Sequence, residues 1–419
     1  MLIYLLFLFF VVCLVKDFKK GIIYYAPFKF MFSHGIPSHI GTFELDVIFT
    51  FVLFCFWLFN RRKDLLRFPL KISFVFMMLA SFAFALNPFF SIKVLLESLS
   101  PYLYLVMFFS AIETKGDIST FIKVICVYVL ILNVNAVCEM FGSNIIGNQL
   151  LTIMTPGAYW AVDAGTRGSF FRLHSFVPHS IGFGVENMVF FSFFFMLYMY
   201  RQDLMKKKTS IYYMTICLLG VFLSGSRSPL LGGIIMLLPF LANKKMFNTR
   251  NISFVVIAAL VIVVFAGEYI STMFDSLTTD KDTDLGGASS WEMRWGQLEY
   301  SMYFWMKNFW FGNGHTFDIF QGGRMYSEIF GAESVWFPIM MKQGLVGMIA
   351  YLSVTVDSCI RTTNIKYKWL CVCLMIGWLV IDTATNLPGL SILLPLYFYV
   401  IYCKMGSVES VSCDSIKKY

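Results

Sequence analysis

Arginine side chains recur where short or polar gaps interrupt strongly apolar sequence. Arg227 ends the tetrapeptide "SGSR", which has apolar stretches on both sides, whereas Arg172 and Arg294 lie in longer polar segments. A permanent cation at the edge of a membrane core is costly, so we expect it to have an anionic partner. The planar guanidinium donates two parallel hydrogen bonds to phosphate oxygens. These three arginines therefore predict a site for a pyrophosphate carried on a lipid.

Glu333 and His315 are the candidates for proton transfer. Nine residues separate the pair Glu333-Ser334 from Gly344-x-x-Gly347. A carboxylate at this position, facing the arginines, is suited to act as a general base. It is equally suited to the first turn of a helix, where the dipole favours an acid and Ser334 would serve as the cap. His315 is the second candidate base, because histidine in general titrates near neutral pH.

Motifs for metals and nucleotides do not accompany these residues. His174-x4-His179 lacks helical spacing, and the other histidines are scattered. Most of the ten cysteines lie inside apolar runs, which is typical of small membrane-core residues and not of a disulfide framework or a zinc site. The chain also contains neither a P-loop nor a G-x-G-x-x-G fingerprint. We therefore expect no cofactor, no metal and no nucleic-acid partner.

The composition is that of a polytopic membrane protein. Of the 419 residues, 58% are hydrophobic and 14% are charged, and the mean hydropathy is +0.71. A soluble domain carries about 25% charged residues. We predict a single all-α integral membrane domain over residues 1–419, with about twelve transmembrane helices of roughly 20 residues each.

Twelve apolar runs predict these helices. They lie near 1–15, 43–59, 68–86, 92–112, 119–141, 180–200, 211–223, 229–242, 251–267, 335–355, 368–386 and 388–403. The first run has no small-residue cleavage signal, so we predict that it is retained. The segment 21–42 is apolar but interrupted by prolines and glycines. It is predicted either as a re-entrant or interfacial segment or as a thirteenth span.

Basic clusters in alternate loops predict the orientation. They lie at 61–67, 201–208, 243–250 and 361–368. The positive-inside rule places these clusters, and with them the excess of positive charge, in the cytoplasm. The two long loops, 142–179 and 268–334, then face the opposite side together with the "SGSR" turn. Five arginines share that outer face: Arg167, Arg172, Arg227, Arg294 and Arg324.

The second long loop contains a predicted interfacial helix. Apolar residues recur there at three- and four-residue spacing, namely Trp291, Trp295, Leu298, Met302, Met306 and Phe309. A face rich in aromatic residues suits a helix that lies in the membrane interface. Arg294 falls beside this face. The helix is predicted to be an interfacial anchor, a lid over a lipid-linked substrate, or both.

Four elements, in this order, resemble the O-antigen polymerase and O-antigen ligase family of bacterial inner-membrane glycosyltransferases, over about residues 120–355. They are Arg172 followed by Pro178, the "SGSR" turn with Arg227, Arg294 followed by aromatic residues and the G-x-G that ends at Gly314, and the segment entering the next helix. In the ligases that last segment begins with a histidine, then Asn, Ser or Gln, nine residues and G-x-x-G. Glu333 replaces the histidine here, which favours a Wzy-type polymerase.

The resemblance implies a GT-C type fold and a metal-independent, inverting glycosyl transfer at the periplasmic face of the inner membrane. The donor would be a glycan on undecaprenyl pyrophosphate, and the acceptor a sugar hydroxyl of another lipid-linked oligosaccharide. Glu333 would be the base, and Arg172, Arg227 and Arg294 would bind the pyrophosphate. Membrane lipids and a chain-length regulator protein are the further partners that it implies.

Two alternatives stay open. An O-antigen ligase would use the same donor but would transfer the glycan to the lipid A core. A lipid-linked oligosaccharide flippase would have a similar number of helices, with Glu97, Glu186 and Asp382 as candidates for its buried polar sites. Hydrogen-bonded packing inside the bundle also accounts for these acids. No repeat symmetry relates the two halves of the chain, although transporters often have it.

Overall fold

A computed structural model describes most of the chain. The described residues are 2–31, 39–40, 43–65, 67–144, 146–147, 166–167, 170–177, 179–226, 228–241, 291–317, 334–362, 367–385 and 393–416. Within them the fold is helical. The exceptions are two antiparallel pairs of two-residue strands, His39–Ile40 with Phe43–Glu44 and Thr166–Arg167 with Phe170–Phe171.

Thirteen helices lie in the described residues. In chain order they are α1 Leu2–Lys16, α2 Phe18–Met31, α3 Leu45–Leu65, α4 Lys71–Leu86, α5 Ile92–Ala111, α6 Lys115–Met140, α7 Ser180–Tyr200, α8 Lys207–Leu223, α9 Ser228–Leu241, α10 Trp291–Lys307, α11 Trp336–Arg361, α12 Lys368–Ala384 and α13 Leu393–Ile416. Four of them, α5, α6, α7 and α11, are long and apolar enough to cross a membrane. The chain is a multi-pass helical membrane protein, as its composition predicts.

The apolar runs locate the helices well. Eleven of the twelve predicted runs coincide with a helix, and the twelfth, 251–267, lies outside the described residues. The segment 21–42 enters the structure as part of α2, whose Ile22, Ile23 and Tyr25 side chains are buried. Up to Met31 this segment is therefore a helix packed within the bundle, and most of its remainder is not described.

Helix α6 begins four residues before its predicted run. The Thr114 hydroxyl accepts a hydrogen bond from the Asp117 amide, and the Asp117 carboxylate accepts one from the Thr114 amide. This capping box satisfies two of the donors that a helix start leaves unpaired. A hydropathy pattern does not detect polar capping residues, so the apolar run begins later than the helix does.

The core is built around α13. This helix packs against α5, α6, α7 and α12, and its side chains are buried almost continuously from Leu393 to Tyr402. Its aromatic rings contact those of its neighbours, with centroids 4.9 Å apart for Phe193 and Phe398 and 5.0 Å apart for Phe108 and Tyr397. The last helix in the sequence is thus the centre of the bundle.

Ion pairs define one end of the bundle, which we call the basic end. Lys19, at the start of α2, pairs with Glu113, between α5 and α6. Lys115 pairs with Asp203 at 2.8 Å, and Arg201 with the same carboxylate at 2.8 Å. The start of α4 joins the end of α11 at this end too, through hydrogen bonds to Asp357. The basic segment 201–208 therefore lies beside the connection between α5 and α6. The rings of Tyr200 and Tyr367, with centroids 6.2 Å apart, bring it next to the basic segment 361–368 as well.

Helix α10 is amphipathic, with its aromatic face turned outward. Gln297 and Ser301 are buried on the inner side, whereas Trp295 and Met306 are exposed. An exposed face of Trp and Met is suited to contact with lipid at the membrane interface. The helix ends at Lys307, so Phe309, which the periodicity included in that face, lies in the turn that follows.

Candidate functional site

The loop before α7 and the turn between α8 and α9 are joined at the end of the bundle opposite to the basic end. The Arg172 guanidinium donates a hydrogen bond to the Ser226 hydroxyl, Nη2 to Oγ 2.9 Å. The Leu173 amide donates to the Leu223 carbonyl at 3.1 Å. Two of the elements on which the family resemblance rests are therefore in direct contact.

Local hydrogen bonds and one glycine build the "SGSR" turn. The Ser224 hydroxyl donates to the Val221 carbonyl at 2.6 Å, and the Ser226 hydroxyl to the Ser224 carbonyl at 3.1 Å. Gly225 has φ +60°, a left-handed conformation that glycine adopts without steric cost. The turn lies so close to Gly184 of α7 that a Cβ there would be 2.5 Å from the Ser224 hydroxyl.

Helix α12 meets the same turn through its last residues. The Ser228 and Thr385 hydroxyls are hydrogen-bonded at 2.6 Å. Two glycines allow α9 and α12 to approach this closely, because a Cβ on Gly232 would lie 2.8 Å from the Gly377 carbonyl oxygen. We call residues 382–385 the α12 terminus.

Arg294 and the start of α11 contact the α12 terminus as well. Arg294 donates from Nη2 to the Ala384 carbonyl at 3.3 Å. The Val335 amide donates to the Asp382 carbonyl at 3.1 Å, and the Trp336 indole to the Thr383 hydroxyl at 3.0 Å. The last carbonyls of a helix lack partners within the helix. Here they accept hydrogen bonds from the elements that carry the predicted site.

A buried polar cluster fixes the loop that carries Arg172. The Glu139 carboxylate accepts hydrogen bonds from the amides of His174 and Ser175, at 3.2 and 2.6 Å, and lies 3.3 Å from the His174 ring. Asn135 donates to the Ser175 hydroxyl at 3.0 Å. Ser175 has φ +58°, a conformation that a non-glycine residue keeps only when its surroundings impose it. Arg172 is thus presented by a rigid support.

His179 lies beside this arginine as an uncharged group. Burial, together with the charges of Arg172 and His174, lowers the pKa of His179 to about 4. Its Nδ1 accepts a hydrogen bond from the Ile181 amide at 3.1 Å, so the proton of the neutral ring is on Nε2. His179 therefore caps α7 while leaving the positive charge of the site to arginine.

His315 lies away from the two arginines, against the loop between α4 and α5. Its Nδ1 is 2.7 Å from the Asn87 carbonyl, its amide donates to the same oxygen at 3.1 Å, and its ring packs 5.1 Å from that of Phe89. These contacts join it to the loop between α4 and α5 and not to Arg172 or Arg294. A groove of about 770 Å³ opens beside it between the end of α4 and the turn after α10, with Lys307 among its mainly apolar lining residues.

Arg227 and Glu333 lie outside the described residues. The neighbours of Arg227 in sequence, Ser226 and Ser228, contact Arg172 and Thr385 respectively. Ser334 and Val335 follow Glu333 and enter the structure at the α12 terminus. Within the described part of the chain, no group of three or more histidine, cysteine, aspartate or glutamate side chains is arranged to hold a metal ion.

A comparison with protein families now bears on this arrangement. Residues 212–352 match the model of a family described as O-antigen ligase. This region of the chain is similar to that family. The match confirms the resemblance to the O-antigen polymerase and ligase family. No curated protein matches the chain.

The region that matches the family model contains most of the predicted site but not all of it. It includes the "SGSR" turn, Arg294, the G-x-G turn and the start of α11. Arg172 precedes it and the α12 terminus follows it, yet both are hydrogen-bonded to its residues. The candidate site is therefore assembled by the matched region, residues 212–352, together with sequence on both sides of it.

Several residues of this site were missed by the sequence interpretation. Thr385 lies at the end of an apolar run and has no motif around it. His179 was considered only as a metal ligand, although a polar residue directly before an apolar helix is also a signal for an N-cap. Ser226 belongs to the quoted turn, but its partner Arg172 is 54 residues away in sequence, and no local pattern reports such a pairing.

Proposed function

We propose that this protein is a Wzy-type polysaccharide polymerase of the bacterial inner membrane. It joins oligosaccharide repeat units carried on undecaprenyl pyrophosphate, at the periplasmic face, without a metal ion. The observation that carries the proposal is a set of hydrogen bonds at one end of the bundle. Arg294, the start of α11 and Ser228, which follows the "SGSR" turn, all contact the α12 terminus, and Arg172 is bonded to that turn. The proposal also includes a GT-C type fold with about twelve spans, of roughly 20 residues each.

In the proposed reaction, one sugar hydroxyl displaces the lipid pyrophosphate. The acceptor oxygen attacks the anomeric carbon of the donor glycan, and Glu333 takes the hydroxyl proton. The bond between that carbon and the pyrophosphate oxygen breaks, and the electron pair stays on the leaving group. Arg172, Arg227 and Arg294 stabilise the charge that develops there, since preorganised cations cost no reorganisation at the moment of reaction.

Replacement of Glu333 by Gln tests the assignment of the base. Glu333→Gln in cells that lack the native copy should reduce polymer yield by about a hundredfold or more, within the range for loss of a general base. Glu299→Gln is the matched control, because Glu299 is an exposed acid of α10. Normal polymer length and yield in the Glu333→Gln strain would remove the carboxylate from the mechanism.

An O-antigen ligase is the second candidate, and the description of the matching family favours it. Glu333, which stands where the ligases have histidine, favours the polymerase. The glycan of a strain without this protein separates the two. Single repeat units on the cell surface would indicate a polymerase. Loss of all glycan from the lipid A core, with polymer still on the carrier lipid, would indicate a ligase.

A further inference from the structure

Helix α11 is broken one third of the way along its length, at Gly344. This residue has φ +63° and ψ −156°, so the intrahelical hydrogen bonds around it are interrupted. The part of α11 before Gly344, which we call its first half, ends in carbonyls without intrahelical partners. The part after Gly344, its second half, begins with amides without them. In a membrane protein such groups need partners from elsewhere, because unpaired backbone groups are costly in an apolar environment.

The turn after α10 supplies partners for two of these amides and two of these carbonyls. The amides of Leu345 and Val346 donate to the carbonyls of Phe309 and Trp310, at 2.9 and 3.1 Å. In the opposite direction, the amides of Asn313 and Gly314 donate to the carbonyls of Met341 and Lys342, at 2.8 and 3.0 Å. These residues form what we call the α10–α11 joint.

Glycines make the joint possible. Gly312 and Gly344 touch backbone to backbone, and a Cβ on Gly344 would lie 2.5 Å from the Gly312 nitrogen and 2.7 Å from the Phe309 oxygen. Gly312 and Gly314 both have positive φ, +66° and +82°. The G-x-G after α10 and the first glycine of G-x-x-G in α11 are thus two halves of one contact.

Asn313, the middle residue of G-x-G, closes the joint with its side chain. Its Nδ2 donates to the Phe304 carbonyl at 3.1 Å and to the Met341 carbonyl at 2.9 Å. Phe304 is in the last turn of α10, and Met341 is in the last turn of the first half of α11. An asparagine amide has two N–H donors, and here each of them satisfies a carbonyl of a different helix.

We propose that Asn313 is a positioning residue for the transfer reaction, because it locks α10 to the first half of α11 and so holds Arg294 against the α12 terminus. This inference rests on the proposed function. Arg294 lies thirteen residues before Lys307, about 20 Å along the helix axis at 1.5 Å per residue. A tilt of α10 by about 5° at the joint would move Arg294 by about 2 Å, and misplacement of a catalytic group by about 1 Å can reduce a rate about a hundredfold.

The test is a double-mutant cycle measured as rate of polymer formation. Membranes from a strain that expresses only the variant are supplied with the lipid-linked repeat unit extracted from the same strain. Asn313→Ala should lower the rate at least about tenfold at saturating substrate and change KM little. In an Arg294→Gln background the same substitution should lower it less than about twofold, because coupled residues are not additive.

Two backgrounds serve as controls. In an Arg172→Gln background, Asn313→Ala should keep its full effect, since Arg172 is held by the Glu139 cluster and not by the joint. Asn308→Ala removes only the hydrogen bond that Asn308 donates to the Asn313 oxygen, leaves both donors in place, and should be nearly as active as wild type. An equal loss from Asn313→Ala in all backgrounds would mean general destabilisation and would overturn the proposal.

Amide hydrogen exchange tests the joint independently of activity. In Asn313→Ala, exchange should become faster in residues 309–314 and 341–346 together, while α6 keeps its protection. Unchanged exchange with a reduced rate would refute the role of the joint. An active Arg294→Gln variant would instead refute the role of Arg294 in the proposed function. The isosteric Asn313→Asp, which replaces the donors by an acceptor, takes the place of Asn313→Ala if the latter fails to accumulate in the membrane.

Discussion

At the scale of single residues, one hydrogen bond joins two segments that are 54 residues apart in sequence, Arg172 Nη2 to Ser226 Oγ. Arg172→Lys keeps the charge but loses the planar fork, so the polymerisation rate should fall by about one to two orders of magnitude. Ser226→Ala leaves the guanidinium in place without this acceptor and should cost about tenfold, or about 1.4 kcal/mol.

The rate of polymer formation in isolated membranes measures both effects. Ser353→Ala is the matched control for the serine, because the Ser353 hydroxyl donates only within its own helix, to the Ala350 carbonyl at 2.6 Å. Full activity of Arg172→Lys would mean that a point charge suffices. Bidentate recognition of phosphate by this arginine would then be wrong.

His179 predicts a pH dependence of stability. Its pKa is lowered to about 4, so between that value and the unfolded pKa of about 6.5 only the unfolded state binds the proton. Stability contributed by the neutral ring is therefore present above pH 6.5 and is lost as the pH falls toward 4. The slope is at most about 1.4 kcal/mol per pH unit for one proton.

His179→Asn isolates this term, because asparagine is a good N-cap and does not titrate. The difference in melting temperature between wild type and variant should change as the pH falls from about 6.5 to about 4, in favour of the variant. The permanent charge that acts on the ring is that of Arg172. Parallel melting curves of wild type and variant over this range would contradict the assignment.

At the scale of helices, a glycine crossing sets the distance between the "SGSR" turn and the α12 terminus. A Cβ on Gly232 would clash with the Ile381 side chain and the Gly377 carbonyl. Gly232→Ala should therefore destabilise the protein by about 1–3 kcal/mol, as overpacking does, and should lower activity by separating Ser228 from Thr385. Thermal unfolding and the rate of polymer formation measure the two effects.

Gly296→Ala is the control for Gly232→Ala. It makes the same substitution at a position where the added methyl group has space. Gly296 lies inside α10 and nothing lies within 4 Å of a Cβ built on it. Alanine there should stabilise the helix by about 0.5–1 kcal/mol. Equal melting temperatures for Gly232→Ala and Gly296→Ala would show that α9 and α12 are not in close contact at this point.

Hydropathy and charge locate the helices, because a helix that lies in a membrane is built from a long, nearly uninterrupted stretch of apolar residues. They do not locate the contacts between helix ends. Arg172 and Arg294 stand out as cations beside apolar sequence. Thr385 and Asn313 act instead through hydrogen bonds to residues that are distant or unmarked in sequence, Thr385 with the Ser228 hydroxyl and Asn313 with the Phe304 and Met341 carbonyls. The break at Gly344 is likewise not predicted by the sequence. A single glycine in an apolar helix is common, and only its backbone φ of +63° reveals the discontinuity.

At the scale of the whole molecule, the buried acids bear on the flippase alternative. Glu186 accepts a hydrogen bond from the Tyr128 hydroxyl at 2.8 Å, and Asp382 accepts one from the Tyr351 hydroxyl. Each acid is paired with a tyrosine of a neighbouring helix, and the two pairs lie on different helix contacts. This arrangement supports the interpretation that the two carboxylates stabilise packing. Asp382 is itself part of the α12 terminus, where its carbonyl accepts a hydrogen bond from the Val335 amide, so only the Glu186 pair is separate from the candidate site.

The bundle has two chemically different ends, and their sidedness is testable. Five helices run from the basic end to the end that holds Arg172 and Arg294, namely α6, α7, α8, α11 and α12. The positive-inside rule puts the basic end in the cytoplasm. In a variant without native cysteines, Asp203→Cys should react with a membrane-impermeant maleimide only in inside-out vesicles. Glu299→Cys, on the exposed side of α10, should react only in right-side-out vesicles, and reaction of both from one side would invalidate a periplasmic site.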